Sequence, residues 1–288
     1  MPSLIQFRTF DLPGLRMHAA IAGPEAGPLV ILLHGFPQFW YSWRRQMEQL
    51  AGAGFRVVAP DQRGYNLTDK TPPYDIGTLT GDIVNLIQAN GRESACVAGH
   101  DWGAGVAWAL AAAHPERVRR LAILNVPHPA VVSRALLGGN LRQMLRSYYI
   151  GVFQIPWLPE RLLSSNQYRP LWRAMCNSAR PGTFTEDDRA QYVAAWSQPG
   201  ALSAMIGWYR AMFRAAEPGT RRRYARRIPM PTLILWGERD IALGVELAEE
   251  SVNWLENGRL IRYPDNTHWI VDELPDEVAR QLQTHFAG

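Results

Sequence analysis

One stretch constrains this chain more than any other: Ala95-Cys96-Val97-Ala98-Gly99-His100-Asp101-Trp102-Gly103-Ala104-Gly105. A short apolar run ends at Gly99, a carboxylate follows at Asp101, and small residues then open an Ala-rich helix. This is the pattern of a strand, a sharp turn and a helix, in which small neighbours let the backbone fold back on itself around an exposed nucleophile. The tip residue is the unusual part. A serine there needs a base to deprotonate it, whereas an aspartate has a pKa of about 3.9 and is already anionic at neutral pH. A carboxylate attacks an alkyl carbon bearing a leaving group or a strained oxygen and forms an ester with itself. The residue type therefore narrows the chemistry to opening an epoxide or displacing a halide.

The 288 residues are enough for one large core with an inserted subdomain. Apolar residues at 47% and charged residues at 19% exclude a disordered chain. The formal charge of +4 is too small to imply a polyanionic partner. Cys96 and Cys176 stand far apart, and Cys96 lies in an apolar run, which reads as a small buried hydrophobe and not as a disulfide or metal ligand. Residues 1–23 lack a basic start followed by a continuous apolar run, and no stretch reaches membrane length. The expectation is a soluble, cytoplasmic protein that engages neither membrane nor nucleic acid. The basic run from Arg221 to Arg227 reads as a solvated helix face, because no matching basic stripe accompanies it.

Strand and helix signals alternate up to Val126. Leu4–Phe10 and Leu15–Ala20 read as strands joined at Pro13-Gly14, Leu29–Leu33 as a strand buried on both faces, and Phe55–Ala59 as the next. Trp40, Trp43, Met47 and Leu50, and then Leu79, Ile83, Leu86 and Ile87, recur at helical spacing. Ala95–Gly99 and Leu121–Val126 continue the series. From Pro127 to Arg227 the alternation stops, and aromatic-rich helical segments span Leu145–Phe153, Trp157–Leu163, Asp187–Trp196 and Ala201–Phe213. Trp157, Trp172, Trp196 and Trp208 are expected to form the core of that insertion, some of them lining an apolar pocket. Alternation resumes with Thr232–Trp236, a helix ending at Asn257-Gly258, the strand Leu260–Tyr263 and a helix begun at Pro275. The alternation predicts an α/β fold: one core with an open, mostly parallel central sheet in two parts, 1–126 and 228–288, and a helical lid at 127–227.

The candidate chemistry follows strand ends. Asp240 or Glu238 follows Trp236, and His268 follows the last strand, so nucleophile, acid and base come in the chain order this fold requires. Asp101 needs no activation, which assigns His268 to a second step: deprotonating a water that attacks the ester, with the acid fixing its tautomer. His34 and His100 read as structural parts of their motifs, His114 as the end of a helix, and His18, His128 and His285 as surface or packing residues. The turn His34-Gly35-Phe36-Pro37 is expected to form an oxyanion hole from the backbone N–H groups of Phe36 and Trp102.

The runs HGFPQFWYSWR from His34, DQRGYNLTDK from Asp61, GHDWG from Gly99 and NTHW from Asn266 resemble the epoxide hydrolases of the α/β-hydrolase superfamily, and the likeness spans nearly the whole chain. The resemblance implies that the acid is Asp240, four residues after the strand-end Trp236. Ser147–Gln154 and Gly207–Arg210 are similar to the family's two lid-tyrosine segments, which implies that Tyr149 and Tyr209 hydrogen-bond the epoxide oxygen and protonate it. That role has independent physical sense. Ring opening creates an alkoxide, to which a phenol of pKa about 10 readily gives a proton. Thr267 stands where relatives often carry Gly, and Gly103-Ala104 where Gly-Gly is common. The implied reaction is cofactor-free and metal-free hydrolysis of a small apolar epoxide to a vicinal diol. Haloalkane dehalogenases share the Asp and the following Trp, but they typically place Asn where Phe36 stands, and haloacetate dehalogenases tend to place Arg where Trp102 stands. A retired hydrolase fold that only binds ligands is the non-enzymatic alternative. The oligomeric state is not legible in the sequence.

Overall fold

The computed structural model describes residues 5–137, 148–214 and 223–288. Eight strands form one sheet: β1 Gln6–Leu12, β2 Leu15–Ala22, β3 Leu29–Leu33, β4 Arg56–Pro60, β5 Ala95–His100, β6 Val118–Leu124, β7 Thr232–Gly237 and β8 Gly258–Tyr263, in the spatial order β1-β2-β4-β3-β5-β6-β7-β8. β1 and β2 form an antiparallel hairpin closed by Pro13-Gly14, with Gly14 at φ 71°. β2 meets β4 antiparallel, and every later pairing is parallel. Parallel strands need covering on both faces, and β3 shows how. Leu29, Ile31 and Leu33 pack on one side with Ile83, Val106 and Trp108, while Val30 and Leu32 pack on the other with Met47, Leu50 and Leu282.

The helices that supply those faces are α1 Arg44–Gly52, α2 Ile76–Ala89, α3 Trp102–Ala113, α9 Val245–Val252 and α11 Pro275–Ala287, with a short α10 at Ile270–Glu273. Asp75 caps α2 by accepting the Gly77 and Thr78 N–H groups, and Pro275 opens α11 where its missing N–H costs nothing. Between β6 and β7 the described residues form helices only: α4 Pro129–Leu137, α5 Tyr148–Val152, α6 Leu158–Ser178, α7 Glu186–Trp196 and α8 Ala201–Arg214. Within α6 the backbone leaves helical geometry at Ser165–Tyr168, close to where the sequence pattern had the helix stop. Residues 145–147 of the expected segment Leu145–Phe153, together with Arg221 and Arg222, lie outside the described residues.

Two expectations need correction. The helix expected to run to Asn257-Gly258 ends at Val252, because Ile228 pairs with Leu255 and draws the following turn toward the sheet. Trp172, Trp196 and Trp208 are buried, but Trp157 is 66% exposed. It sits at φ 55° at the start of α6, and that left-handed backbone turns its indole outward. No helix among the described residues is long and apolar enough to cross a membrane.

Candidate active site

Strand ends deliver the polar groups. β5 stops at His100, and Asp101 follows with φ 51° and ψ −125°, a conformation that costs a non-glycine residue roughly 1–3 kcal/mol. Crowding enforces it. A Cβ on Gly103 would lie 2.2 Å from the Leu33 carbonyl oxygen, and one on Gly35 would lie 2.3 Å from the Asp101 side chain. Only glycine at both positions lets β3, the turn after it and α3 approach this closely. The turn after β3 then aims the Phe36 N–H at Asp101 Oδ1, 2.7 Å away. The Trp102 N–H also favours the charged carboxylate, so the two donors expected for an oxyanion face the same group.

Asp240, after β7, is buried with all its acceptor positions occupied. Oδ1 accepts the Ala242 and Leu243 N–H groups at 2.8 and 2.9 Å. Oδ2 accepts Asn125 Nδ2 at 2.8 Å and His268 Nδ1 at 2.7 Å. A carboxylate can only accept, so the proton on Nδ1 is donated to it and Nε2 is left toward Asp101, 3.4 Å from Oδ2. Glu238, the other acid considered, instead takes the Arg262 guanidinium at 2.8 Å.

The charges are strongly interdependent. Burial by itself would raise the Asp101 carboxyl and lower the His268 imidazole. The hydrogen bond and charge of His268 bring Asp101 below the usual carboxylate range, and Asp240 with Asp101 raises His268 to about 10. Asp240 is lowered in the same way, its burial outweighed by His268, Asn125 and the Leu243 N–H. His34 and His100 go the opposite way, pushed by burial to about 4. Both are neutral struts at pH 7. His34 Nε2 accepts the Gln62 N–H at 3.1 Å, and His100 Nε2 donates to the His268 carbonyl at 2.8 Å.

The tyrosines reach the site from the inserted helices, Tyr149 on α5 and Tyr209 on α8. Tyr209 is wedged edge-on among Trp102, Phe36, Phe153 and Tyr149, with ring centroids 4.9–5.9 Å apart. Burial first, and then the negative charge of Asp101, pushes both phenols above their ordinary pKa. They are neutral donors at any pH near 7. Together with Asp101 and His268 they line a cavity of about 360 Å³, otherwise walled chiefly by apolar side chains such as Leu171, Met175, Leu243 and Trp269. A larger groove of about 820 Å³, bordered by Arg169, Arg173, Arg189 and Glu186, shares no lining residue with it.

Of the seven residues expected from the sequence, Phe36, Asp101, Tyr149, Tyr209 and His268 line this cavity, while Asp240 and Trp102 contact two of those, His268 and Tyr209. None of Trp157, Trp172, Trp196 and Trp208 lines it; the tryptophan that does is Trp269, next to His268. Asn125 was missed. It follows β6 directly, and its amide pairs with Gly237 N–H at 2.9 Å and Gly237 O at 3.2 Å while holding Asp240. The only sequence signal for it is a polar residue closing an apolar strand.

Comparison with known proteins agrees with this geometry. A family model described as alpha/beta hydrolase fold matches residues 28–275. The AB hydrolase superfamily protein YfhM of Bacillus subtilis (strain 168) is 45% identical over 265 residues, 91% of each chain. Epoxide hydrolase 4 of Homo sapiens is 38% identical over 280 residues, which span 94% of this chain and 75% of that one. The crystal structure of a Bacillus megaterium epoxide hydrolase in complex with an inhibitor matches with a TM-score of 0.86 at 28% identity, covering 98% of this chain and all of the other.

Proposed function

Because the chain belongs to the epoxide hydrolase family of the α/β-hydrolase superfamily, we propose that it converts a small, uncharged, apolar epoxide to a vicinal diol through an ester on Asp101. The observation that carries this reading is the placement of two neutral phenols in the cavity that holds the carboxylate. A departing halide needs no proton, whereas an epoxide oxygen does.

Asp101 Oδ1 is held by the Phe36 N–H, so Oδ2 is the attacking oxygen. It bonds to a ring carbon as that carbon's bond to the epoxide oxygen breaks, and Tyr149 or Tyr209 gives the oxygen its proton. Esterification removes the charge of Asp101, one of the two carboxylates that keep His268 protonated. His268 then releases its proton, which reprotonates the tyrosine, and becomes a base. It takes a proton from water attacking Cγ of the ester, the Phe36 and Trp102 N–H groups hold the oxyanion, and the same proton returns to the departing diol oxygen. The Asp101 carboxylic acid left behind gives its proton to His268, which restores the starting carboxylate and imidazolium. Each backbone donor of this kind contributes roughly 10²–10³ in rate. Asp240 keeps Nε2 turned toward the ester throughout. Both steps balance with water and protons alone, which supports a cofactor-free enzyme. Residues 1–126 and 228–288 would carry the polar machinery, and 127–227 would be its lid. The two cysteines are unpaired, in keeping with a cytoplasmic setting.

The test uses the His268→Gln variant, which forms the ester and barely hydrolyses it. It is incubated separately with styrene oxide and with a chloroalkane, and intact mass is measured. A gain equal to the whole epoxide, mapped to the peptide holding Asp101, is expected. A gain from the chloroalkane alone, equal to its alkyl group, would reassign the chain to dehalogenation.

A further inference from the structure

His268 is carried by the irregular loop between β8 and α10. Asp240 and His100 fix its ring and its carbonyl. On its two sides the Arg239 N–H binds the Asn266 carbonyl at 2.9 Å, and the Asp272 and Glu273 N–H groups bind the Trp269 carbonyl at 3.0 and 2.9 Å. One carboxylate adds the side-chain tie. Glu273 Oε2 accepts the Thr267 N–H at 2.9 Å and Asn266 Nδ2 at 3.1 Å. Oε1 accepts the Thr267 hydroxyl at 2.6 Å and the Arg180 N–H at 2.9 Å. Four donors occupy the four lone-pair positions of a carboxylate, and none of the four carries a charge. The Thr267 hydroxyl in turn accepts the Trp269 N–H at 3.3 Å. Beyond those backbone bonds, the residues before and after His268 are thus both linked to the Thr267–Glu273 pair. Thr267 is the residue that makes this connection.

We propose that Glu273 is a positioning residue that holds the His268 loop in register for ester hydrolysis, and that it does so fully only when the inserted helices are docked. The second half follows from Arg180, which lies just beyond α6 and supplies the fourth donor. The same docking is reinforced by the Trp269 indole, which donates to Ser178 Oγ at 2.9 Å. Displacement of a catalytic group by about 1 Å costs on the order of 100-fold in rate. A loosened loop therefore affects the step His268 performs and spares the attack by Asp101.

The proposal rests on the two-step ester reading above, and its test separates the two. Glu273→Gln keeps size but turns an NH₂ group toward N–H and O–H donors, so it is expected to slow decay of the styrene oxide ester about 10- to 100-fold while ester formation stays within about threefold. Thr267→Val, which removes one hydroxyl at constant shape, should slow the same step less and serves if the Glu273 variant folds poorly. Without substrate, the His268 Nδ1–H proton resonance should exchange faster with water in both variants. Unchanged exchange together with unchanged ester decay would overturn the proposal, as would equal losses in both steps. Absence of any ester in the His268→Gln protein would remove the reaction reading, while the proton exchange still decides the role of Glu273.

Discussion

The groups facing the cavity are held in two different ways. Asp101, Asp240 and His268 sit at strand ends, each fixed by short directional hydrogen bonds to backbone N–H groups, to Asn125 or to one another. Tyr149 and Tyr209 sit on inserted helices and are held by aromatic edges. Directional bonds to a sheet fix an atom to a fraction of an ångström. Ring packing fixes a volume and leaves the hydroxyl freer to follow a substrate oxygen. On the proposed reading, the first region supplies the nucleophile and the base, and the second supplies the proton donors and much of the cavity wall.

The largest effect should come from breaking the first region at its centre. Asp101→Asn should lower epoxide turnover by about 10⁴-fold or more, since an amide is no nucleophile. It should also lower the pKa of His268, because a carboxylate that favours the imidazolium is lost. Titration of the His268 ring by NMR checks the second outcome independently of activity. The sign is definite: His268 is raised to about 10 in the intact site, so the stability it contributes is complete below about pH 6.5 and is lost as pH rises toward 10.

Next in size is the second region. Tyr149→Phe and Tyr209→Phe should each slow ester formation about 10- to 100-fold, and the double variant about 10³-fold or more, within the range of proton donation by a positioned acid. Rapid-quench measurement of the ester distinguishes this from a hydrolysis defect. If ring packing alone mattered, both single variants would stay close to the parent, because phenylalanine preserves the ring.

The smallest effect belongs to the junction of the two regions. Asp272 is buried where Gln38 Nε2 bridges it, at 2.8 Å, to the Tyr192 hydroxyl of α7. Burial raises its carboxyl to about 7, partly opposed by Gln38 and Arg44. An unfolded Asp titrates near 3.9, so between about pH 4 and 7 the folded state binds the extra proton and stability falls as pH rises. Asp272→Asn should remove that slope and gain stability relative to the parent at pH 8 compared with pH 5, by on the order of 1–3 kcal/mol. Urea midpoints at the two pH values measure it.

What was legible in the sequence follows the same division. Asp101, His268 and the Phe36 turn announce themselves because their constraints are local: a strand end, a few glycines and a turn within ten residues. Tyr149 and Tyr209 are visible only through resemblance, since a tyrosine in an aromatic-rich helix has no local mark. Asn125, Glu273 and the Gln38–Asp272 bridge were not legible as parts of the site. Each is an ordinary polar residue; Asn125 acts on Asp240, and Gln38 reaches Tyr192 and Asp272 more than 150 residues away. Glu273 is a mixed case, with Thr267 six residues distant and Arg180 in a different part of the fold. Trp157 failed for the opposite reason, because composition predicts burial and a single left-handed backbone angle decided otherwise.

The order of the strands has a consequence for how the chain is made. From β5 onward each new strand is added to the outer edge of the previous one, β6 on β5, β7 on β6 and β8 on β7. A chain emerging from the ribosome can therefore complete β1 to β6 as a twisted six-stranded sheet. It must then leave the apolar edge of β6 unpaired while the inserted helices are synthesised, for roughly 5–20 s at ordinary elongation rates. An open, hydrophobic strand edge is the feature that invites pairing with another molecule. During biosynthesis the hazardous species is thus the protein stalled before Thr232, and what protects it is the speed with which β7 arrives.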